Sequence, residues 1–266
     1  MAKTTIEWTA SVNAKGEVVP GYSYNPWWGC LKVSEGCQNC YAETFAKRTG
    51  HAIWGPAATT QRRTFGEKHW QEPLKWNEDA LQAGERRRVF CSSMADVFED
   101  HPQLIDERLR LWKLIDQTPQ LDWLLLTKRP ENIDYMAPCS WVADGFPGNV
   151  WLGVSAENQA MADKRIPILA GIPATVRFLS CEPLLGPLDL SEWLDFISWV
   201  IVGGESGPKA RPMNPDWVRS IRGQCNGAGV AYFVKQMGGV RDKRHDLEDM
   251  PEDLRVREYP EVTYAV

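Results

Sequence analysis

The sequence predicts an α/β protein built on a full or partial TIM-like β/α barrel. Six short apolar runs support this prediction, because each ends in small or polar residues and leads into a helical pattern. Successive runs end 23 to 35 residues apart, and one βα unit takes roughly 30 residues. The chain of 266 residues is also long enough, since a barrel of this kind typically uses about 250 residues as one domain.

The apolar runs predict strands that are buried on both faces, as in a parallel sheet. These strands lie at 88–92, 123–127, 150–154, 176–180, 199–203 and 231–235. A seventh strand is predicted within 24–29, where it leads into a loop that carries cysteines. Helices are predicted after Pro102, after Asn214-Pro215 and from near Cys40. Right-handed βαβ connections then make the apolar runs parallel neighbours in one sheet.

The domain organisation predicted from these elements is a single barrel domain over 1–266. It contains a cysteine loop near 29–41, a helical insertion near 51–84 and a charged C-terminal tail near 238–266. Before the cysteine loop, Asn13-Ala14-Lys15-Gly16 is typical of a turn and predicts a hairpin.

The composition narrows the classes of function. With 30 Lys and Arg against 35 Asp and Glu, the formal charge is −5, which argues against a surface that coats nucleic acid broadly. No apolar run reaches the roughly 20 residues that a membrane helix needs. The first residues also have no apolar stretch that resembles a secretory signal. We therefore expect a cytoplasmic protein without a membrane partner.

Polar residues follow nearly every predicted strand, where a β/α barrel places its functional groups. Any single Ser or Asn there is as well explained by helix capping or contact with water. Glu182 and Glu205 are harder to explain in this way, because a carboxylate straight after an apolar strand needs a partner or ligand. The candidate ligand-binding residues are Ser93, Asp96, Lys128, Ser155, Glu157, Glu182, Glu205 and Lys235.

Three clustered cysteines are the strongest chemical signal. Cys30, Cys37 and Cys40 follow the spacing C-x6-C-x2-C in a loop rich in small and polar residues. Three thiolates on an iron–sulfur cluster leave one iron open for a ligand. A structural zinc is the alternative, although its fourth ligand would have to be a residue such as His51, and a loop without metal is the third possibility. The other four cysteines, Cys91, Cys139, Cys181 and Cys225, are predicted to be small buried apolar residues.

The cysteines and further motifs together resemble a known group of proteins. Three clustered cysteines followed by a β/α barrel resemble the radical S-adenosylmethionine (radical-SAM) enzymes. More specifically, the chain resembles an uncharacterised phage and prophage three-cysteine family that is often grouped with that superfamily. The motifs that carry this resemblance are Ile6-Glu7-Trp8-Thr9, Asn25-Pro26, Gly29-Cys30, Gly36-Cys37, Cys40-Tyr41-Ala42-Glu43, Leu126-Thr127-Lys128-Arg129-Pro130, Ser180-Cys181-Glu182-Pro183-Leu184, Val202-Gly203-Gly204-Glu205-Ser206-Gly207 and Lys235-Gln236.

The resemblance implies a [4Fe-4S] cluster on Cys30, Cys37 and Cys40, with the amino and carboxylate groups of S-adenosyl-L-methionine on the fourth iron. Reductive cleavage would then form a deoxyadenosyl radical that abstracts hydrogen from a substrate. The sequence departs from the superfamily pattern in three ways. The first cysteine gap is longer than usual, the aromatic Tyr41 follows the third cysteine instead of preceding it, and the Gly-Gly-Glu segment comes near the sixth strand.

Three functions are compatible with these features. The first is a radical-SAM-like enzyme that needs an electron donor and acts on an unidentified substrate, with or without a dedicated protein partner. The second is a barrel with a structural zinc that acts as a binding or partner protein. The third is a nucleic-acid modification or repair enzyme using the same cluster, in which Trp27-Trp28 or aromatic residues near Lys128-Arg129 stack on bases.

Overall fold

The computed structural model describes residues 4, 6–13, 15–240 and 246–262. The chain divides into two compact units. Unit 1 comprises Met1–Lys32 and Ala42–Trp151, and unit 2 comprises Val33–Tyr41 and Leu152–Val266. Cys30 therefore belongs to unit 1, whereas Cys37 and Cys40 belong to unit 2. The predicted turn at 13–16 lies partly outside the described residues, because residue 14 is not described.

Eleven strands occur in the described part of the chain. They are β1 (Ser11–Val12), β2 (Val18–Val19), β3 (Tyr22–Ser23), β4 (Trp27–Trp28), β5 (Arg63–Thr64), β6 (Arg87–Cys91), β7 (Leu121–Thr127), β8 (Val150–Ser155), β9 (Val176–Cys181), β10 (Trp199–Gly203) and β11 (Ala231–Gln236). The six strands predicted from apolar runs are confirmed as β6 to β11, with ends that differ by at most two residues.

Seven of these strands form one sheet in the order β11-β10-β9-β8-β7-β6-β3. In unit 1, β6 pairs in parallel with both β3 and β7. In unit 2, β10 pairs in parallel with both β9 and β11. The α/β class with a TIM-like, partial-barrel parallel sheet is thereby confirmed.

The seventh strand differs in position from the prediction. The sheet uses Tyr22–Ser23, whereas Trp27–Trp28 pairs antiparallel with Arg63–Thr64 in a separate two-stranded sheet. Pro26 separates the two pieces, and a proline has no N–H to donate to a continuing ladder. The hairpin predicted before this region is confirmed, since β1 pairs antiparallel with β2.

The described residues contain eight α-helices. They are α1 (Tyr41–Arg48), α2 (Glu67–Trp70), α3 (Glu72–Ala83), α4 (Ile105–Asp116), α5 (Ile133–Met136), α6 (Cys139–Asp144), α7 (Gln159–Ala170) and α8 (Pro215–Ala228). Helix α8 illustrates the start signal, because the Asn214 side chain accepts a hydrogen bond from the Asp216 N–H at 2.9 Å and Pro215 occupies the first turn. It ends at Gly229, whose φ of 68° is readily adopted only by glycine.

The core of unit 1 is aromatic. The Tyr24 ring lies 5.8 Å from that of Trp123 and 6.0 Å from that of Trp70, and all three side chains are buried. Tyr22 stacks on Trp76 with a centroid separation of 4.3 Å. These contacts pack α2 and α3 against strands β3 and β7 of the sheet.

The core of unit 2 contains one close approach between strands. A Cβ on Gly153 of β8 would lie 2.4 Å from the Phe178 ring of β9, so the phenyl ring occupies the space that a side chain would need. At the edge, β11 is covered by the C-terminal segment. The Val234 N–H donates to Val256 O at 2.8 Å and the Glu258 N–H donates to Tyr232 O at 2.9 Å, so the edge strand does not expose these groups.

Over the described residues, every helix is too short or too polar to cross a bilayer.

Candidate metal centre

The seven cysteines differ in exposure. Cys30, Cys37 and Cys40 are half-buried, and Cys91, Cys181 and Cys225 are buried. Burial raises the pKa of both the Cys91 and the Cys225 thiols to about 12, which keeps them protonated and unreactive. Cys139 is exposed, so its predicted burial is wrong; it begins the short helix α6, whose buried side chain is Trp141. All seven lie in the described part of the chain, and none forms a disulfide.

Cys30 follows β4 and is held on both sides by backbone contacts. The Gly29 N–H donates to Met94 O at 3.0 Å, and Cys30 O accepts from the Gly55 N–H at 3.1 Å. Gly29 has a φ of 116°, and a Cβ there would lie 2.4 Å from Ile53 O. A glycine is therefore required immediately before the first cysteine.

Arg129 approaches the Cys30 sulfur from the carboxyl end of β7. Its Nη1 and Nη2 lie 3.7 and 3.8 Å from Cys30 Sγ, and Nη2 also donates to Leu31 O at 2.6 Å. Burial raises the pKa of the Cys30 thiol to about 12, and the nearby guanidinium acts in the opposite direction. A positive charge is thus placed where a Cys30 thiolate would carry its negative charge.

Asp96 holds Arg129 in this position. Its Oδ2 accepts from Arg129 Nη1 at 2.8 Å and from the Lys128 N–H at 3.1 Å. Its Oδ1 accepts from Thr127 Oγ1 at 2.7 Å and from the Phe98 N–H at 3.0 Å. Four donors use both carboxylate oxygens, so this predicted ligand-binding residue is engaged in orienting the arginine.

A second buried ion pair, between Glu99 and Arg62, lies near the Asp96–Arg129 pair. Glu99 is paired with Arg62 through two hydrogen bonds of 2.9 and 2.8 Å, and its Oε1 lies 3.9 Å from Arg129 Nη2. Burial disfavours the charged form of Arg129, but Asp96, Cys30 and Glu99 outweigh it and raise the arginine pKa. The guanidinium therefore stays charged. A buried pair that loses one partner leaves an uncompensated charge, which makes this network sensitive to substitution.

In unit 2, Glu157 contacts the segment 33–41 that carries the other two cysteines. Its Oε1 accepts from the Gly36 N–H at 3.4 Å, and its Oε2 accepts from Arg165 Nη1 at 2.6 Å. A Cβ on Gly36 would lie 2.9 Å from the Glu157 side chain. Glu157 follows β8 and is fully buried, so this contact places the segment at the carboxyl end of that strand.

Glu205 holds the same segment from the carboxyl end of β10. Its Oε2 accepts from Asn39 Nδ2 at 2.9 Å, and Asn39 lies between the two cysteines. Arg211 donates to this carboxylate from its N–H, Nε and Nη2 at 2.9, 3.0 and 2.8 Å. Arg211 also donates to Glu35 O at 3.1 Å. Glu205 and Arg211 together form a clamp on the loop between Glu35 and Asn39.

The remaining pair in unit 2 is Glu182 with Lys235. Lys235 Nζ lies 2.9 Å from Glu182 Oε1, and Ser180 Oγ donates to Glu182 Oε2 at 3.2 Å. A Cβ on Gly203 would lie 2.5 Å from Glu182 Oε1. Glu182 was predicted to require a partner such as a lysine. Lys235 is that partner, and it lies in β11, which β10 separates from β9.

Three further predicted residues have simpler surroundings. The Ser93 hydroxyl accepts from Asn25 Nδ2 at 3.1 Å. Ser155 is buried and its carbonyl accepts from Arg165 Nη1 at 2.7 Å. Lys128 is half-buried and contributes its backbone N–H to Asp96. Ligand binding by these residues stays a prediction.

The donor chemistry of the three cysteines suits an iron–sulfur cluster. They are half-buried thiols outside the α-helices and the seven-stranded sheet, and one of them lies beside a guanidinium, whereas Cys91, Cys181 and Cys225 are buried in the core. Over the residues described, no group of three or more His, Cys, Asp or Glu side chains is arranged to hold a metal ion. A single metal ion requires its ligands to converge on one point. A four-iron cluster does not, because each thiolate binds a separate iron.

A family model described as "Protein of unknown function (DUF5131)" matches residues 3–263. The chain belongs to the DUF5131 family. No match was found among curated proteins.

Among solved structures, this DUF5131 chain is similar to spore photoproduct lyase. A tyrosine-to-phenylalanine variant of that protein aligns with a TM-score of 0.50 and 11% identity, over 78% of this chain and 74% of the other. A cysteine-to-alanine variant with dinucleoside spore photoproduct aligns with a TM-score of 0.45 and 13% identity, over 74% and 58% of the two chains. The first similarity shows a likeness of fold and identifies no reaction.

Four arginines and one asparagine contact the cysteine segments or their carboxylates but are absent from the ligand-binding residues predicted for this DUF5131 chain. Arg129 carries a usable signal, because it lies two residues after the end of β7. Arg62, Arg165 and Arg211 have none, since each reaches its carboxylate only through the tertiary fold. Asn39 lies between two cysteines, but its contact with Glu205 spans 166 residues of sequence.

Proposed function

We propose that this protein is an iron–sulfur enzyme of the radical-SAM type, with a [4Fe-4S] cluster held by Cys30, Cys37 and Cys40. The observation that carries the proposal is the set of three half-buried cysteines in a chain with a radical-SAM-like fold. When bound, such a cluster supplies the electron for reductive cleavage of S-adenosyl-L-methionine. An external electron donor is then required.

The surroundings of the cysteines support ligation by thiolates. Arg129 offers positive charge to Cys30, and charge of this sign favours the thiolate that a metal needs. In unit 2 the Glu205–Arg211 clamp and Glu157 hold the backbone before Cys37 and the Asn39 side chain after it. Restraint of this kind keeps ligands in place before the metal binds, as hydrogen bonds to the ligand residues do in metal sites.

The strand-end residues are the candidates for holding S-adenosyl-L-methionine. Lys128, Lys235 and Glu182 carry the charges that complement its carboxylate and ammonium groups. Asp96, Glu157 and Glu205 have a second role in the proposal, because their carboxylates already accept hydrogen bonds from arginines. We assign these three to positioning the cysteine loops.

A nucleic-acid base is the proposed substrate class. Trp28 is half-buried and lies two residues before Cys30 in the sequence, and the Arg63 guanidinium lies 4.7 Å from the centroid of its ring. The Phe65 ring lies 5.7 Å from that of Trp28. Aromatic and arginine side chains stack on bases in single-stranded nucleic acid. Trp27 is fully buried and belongs to the core, so Trp28 is the residue of that pair that fits this role.

The test of the metal centre compares cysteine variants after anaerobic purification and iron–sulfide reconstitution. We expect about four irons per chain in the wild type, because the cluster is of the [4Fe-4S] type. C30A, C37A and C40A should each lose most of this iron. C139A removes an exposed thiol and serves as the matched control, which should retain it.

The test of the reaction adds S-adenosyl-L-methionine and dithionite to the reconstituted protein and measures deoxyadenosine. Formation of deoxyadenosine in the wild type and C139A, but not in C37A, supports the enzyme, and an increase on adding oligonucleotides supports the substrate class. Iron retained in C37A and C40A would overturn the cysteine assignment. Bound iron without any deoxyadenosine would leave a metal protein of another kind.

A further inference from the structure

We propose that Arg129 sets the reduction potential of the cluster by making it easier to reduce. The inference rests on the proposed function, since it requires Cys30 to be a cluster ligand. It concerns an equilibrium property of the centre and not the reaction with S-adenosyl-L-methionine. Arg129 is in this sense a tuning residue for the metal centre.

The first step of the argument is the position of the charge. Both terminal nitrogens of Arg129 point at Cys30 Sγ, at 3.7 and 3.8 Å, and its side chain is only 8% exposed. Electrostatic interactions weaken little with salt when the charges are buried. A buried guanidinium at this distance therefore acts on the sulfur with little screening.

The second step is the rigidity of the arrangement. Asp96 Oδ2 accepts from Nη1 at 2.8 Å, Leu31 O accepts from Nη2 at 2.6 Å, and the backbone N–H of Arg129 donates to Thr127 Oγ1 at 2.9 Å. The first two bonds fix the guanidinium, and the third fixes the backbone of Arg129. The guanidinium cannot turn towards solvent without breaking bonds to a buried carboxylate.

The third step is the effect of Arg129 on the reduction potential of the cluster. Reduction adds one electron from a donor such as dithionite to the cluster, with no protein bond formed or broken. The potentials of iron–sulfur clusters depend on net charge and on hydrogen bonds to the sulfurs. Arg129 supplies a positive charge and two N–H groups facing one sulfur, and both stabilise the more negative, reduced state.

Loss of Arg129 would also leave Asp96 without its main cationic partner. The carboxylate is held in place by Thr127, Phe98 and Lys128 through bonds that do not involve the guanidinium. A negative charge near the cluster would then be less compensated, which shifts the potential in the same direction as the loss of the arginine.

The experiment is an electron paramagnetic resonance titration of reconstituted wild type, R129M and R129K. We expect R129M to retain the cluster and to show a midpoint potential more negative than that of the wild type. R129K keeps a positive charge but loses the forked donor, so its shift should have the same sign and be smaller. K113M removes an exposed charge from α4 and should leave the potential unchanged, since exposed charges are strongly screened.

The outcomes separate this inference from the proposed function. A wild type that binds no iron overturns both. A wild-type cluster with the same potential in R129M overturns the role of Arg129 alone. If R129M folds by circular dichroism but binds no iron, R129K decides: a negative shift supports the inference and an unchanged potential overturns it.

Discussion

Glu205 shows how one side chain takes on a role that its sequence position does not reveal. It follows two glycines after an apolar strand, a pattern that predicts a ligand-binding carboxylate. In the structure it is 7% exposed and accepts four hydrogen bonds, three from Arg211 and one from Asn39. Burial would raise its pKa, but these donors outweigh burial and lower the pKa below its ordinary value.

This pKa shift predicts how stability depends on pH. Because the pKa is lowered in the folded state, Glu205 contributes fully above its ordinary value of 4.5, and the contribution is lost as the pH falls through the folded pKa. We expect E205Q to lower the free energy of unfolding at pH 7 by about 1.5–3 kcal/mol, the range for hydrogen bonds to charged groups. The deficit should shrink under acid conditions.

Urea unfolding of the metal-free protein at several values between roughly pH 3 and pH 7 tests this expectation. E192Q is the matched control, because Glu192 is an exposed carboxylate of the same unit, and it should follow the wild type at every pH. A deficit in E205Q that stays constant down to the lowest pH would contradict the charge-based explanation.

At the scale of elements, the ends of β10 and β11 approach each other more closely than side chains allow. A Cβ on Gly204 would lie 2.2 Å from the Gly238 Cα and 2.4 Å from its nitrogen. The same ends are joined by a Gly204 N–H bond to Gln236 O at 3.1 Å and a Gln236 Nε2 bond to Gly204 O at 2.7 Å. Gly204 and Gly238 thus allow the two strand ends to lie close together, and this contact fixes the start of the loop that carries Glu205.

We expect G204A to be destabilised by about 1–3 kcal/mol, since overpacking against backbone forces the chain to move. The comparison is G223A in helix α8, where a Cβ meets no atom within 4 Å. Alanine in a helix interior is favoured over glycine by roughly 0.5–1 kcal/mol, so G223A should be neutral or stabilising. Urea denaturation measures both, and equal effects in the two variants would show that the close approach is not what matters at Gly204.

At the scale of the whole molecule, each compact unit has a core of its own. Leu125 of β7 is fully buried in unit 1, and Ile201 of β10 is fully buried in unit 2. The organisation of 1–266 as a single domain stays a prediction. It is tested by whether the two cores unfold together.

Truncation of one residue in each core provides that test. L125A and I201A should each cost about 2–5 kcal/mol, the usual range for a large-to-alanine change in a core. For a single domain, each variant should lower the midpoint of one transition seen alike by tryptophan fluorescence and circular dichroism. Two separate transitions, of which each variant shifts only one, would indicate independent domains.

The strands of the sheet could be predicted from the sequence, because they depend on local patterns. Apolar runs near Val150, Trp199 and Ala231 identify buried parallel strands. The spacing of Cys30, Cys37 and Cys40 predicts a metal-binding loop, and that assignment stays a prediction. Such signals need only a few consecutive residues. These local signals do not depend on distant residues, because burial on both faces and metal ligation each require particular residue types.

The partners of the charged residues were decided only by the tertiary structure. Arg129 reaches Cys30 across 99 residues and Asn39 reaches Glu205 across 166 residues, and no local pattern encodes which of several carboxylates an arginine will meet. The position of the first sheet strand was decided in the same way, since Tyr22–Ser23 and Trp27–Trp28 both form strands but only Tyr22–Ser23 pairs with β6. Long-range pairing depends on which surfaces the packed core brings within hydrogen-bonding distance, and that is a property of the fold as a whole.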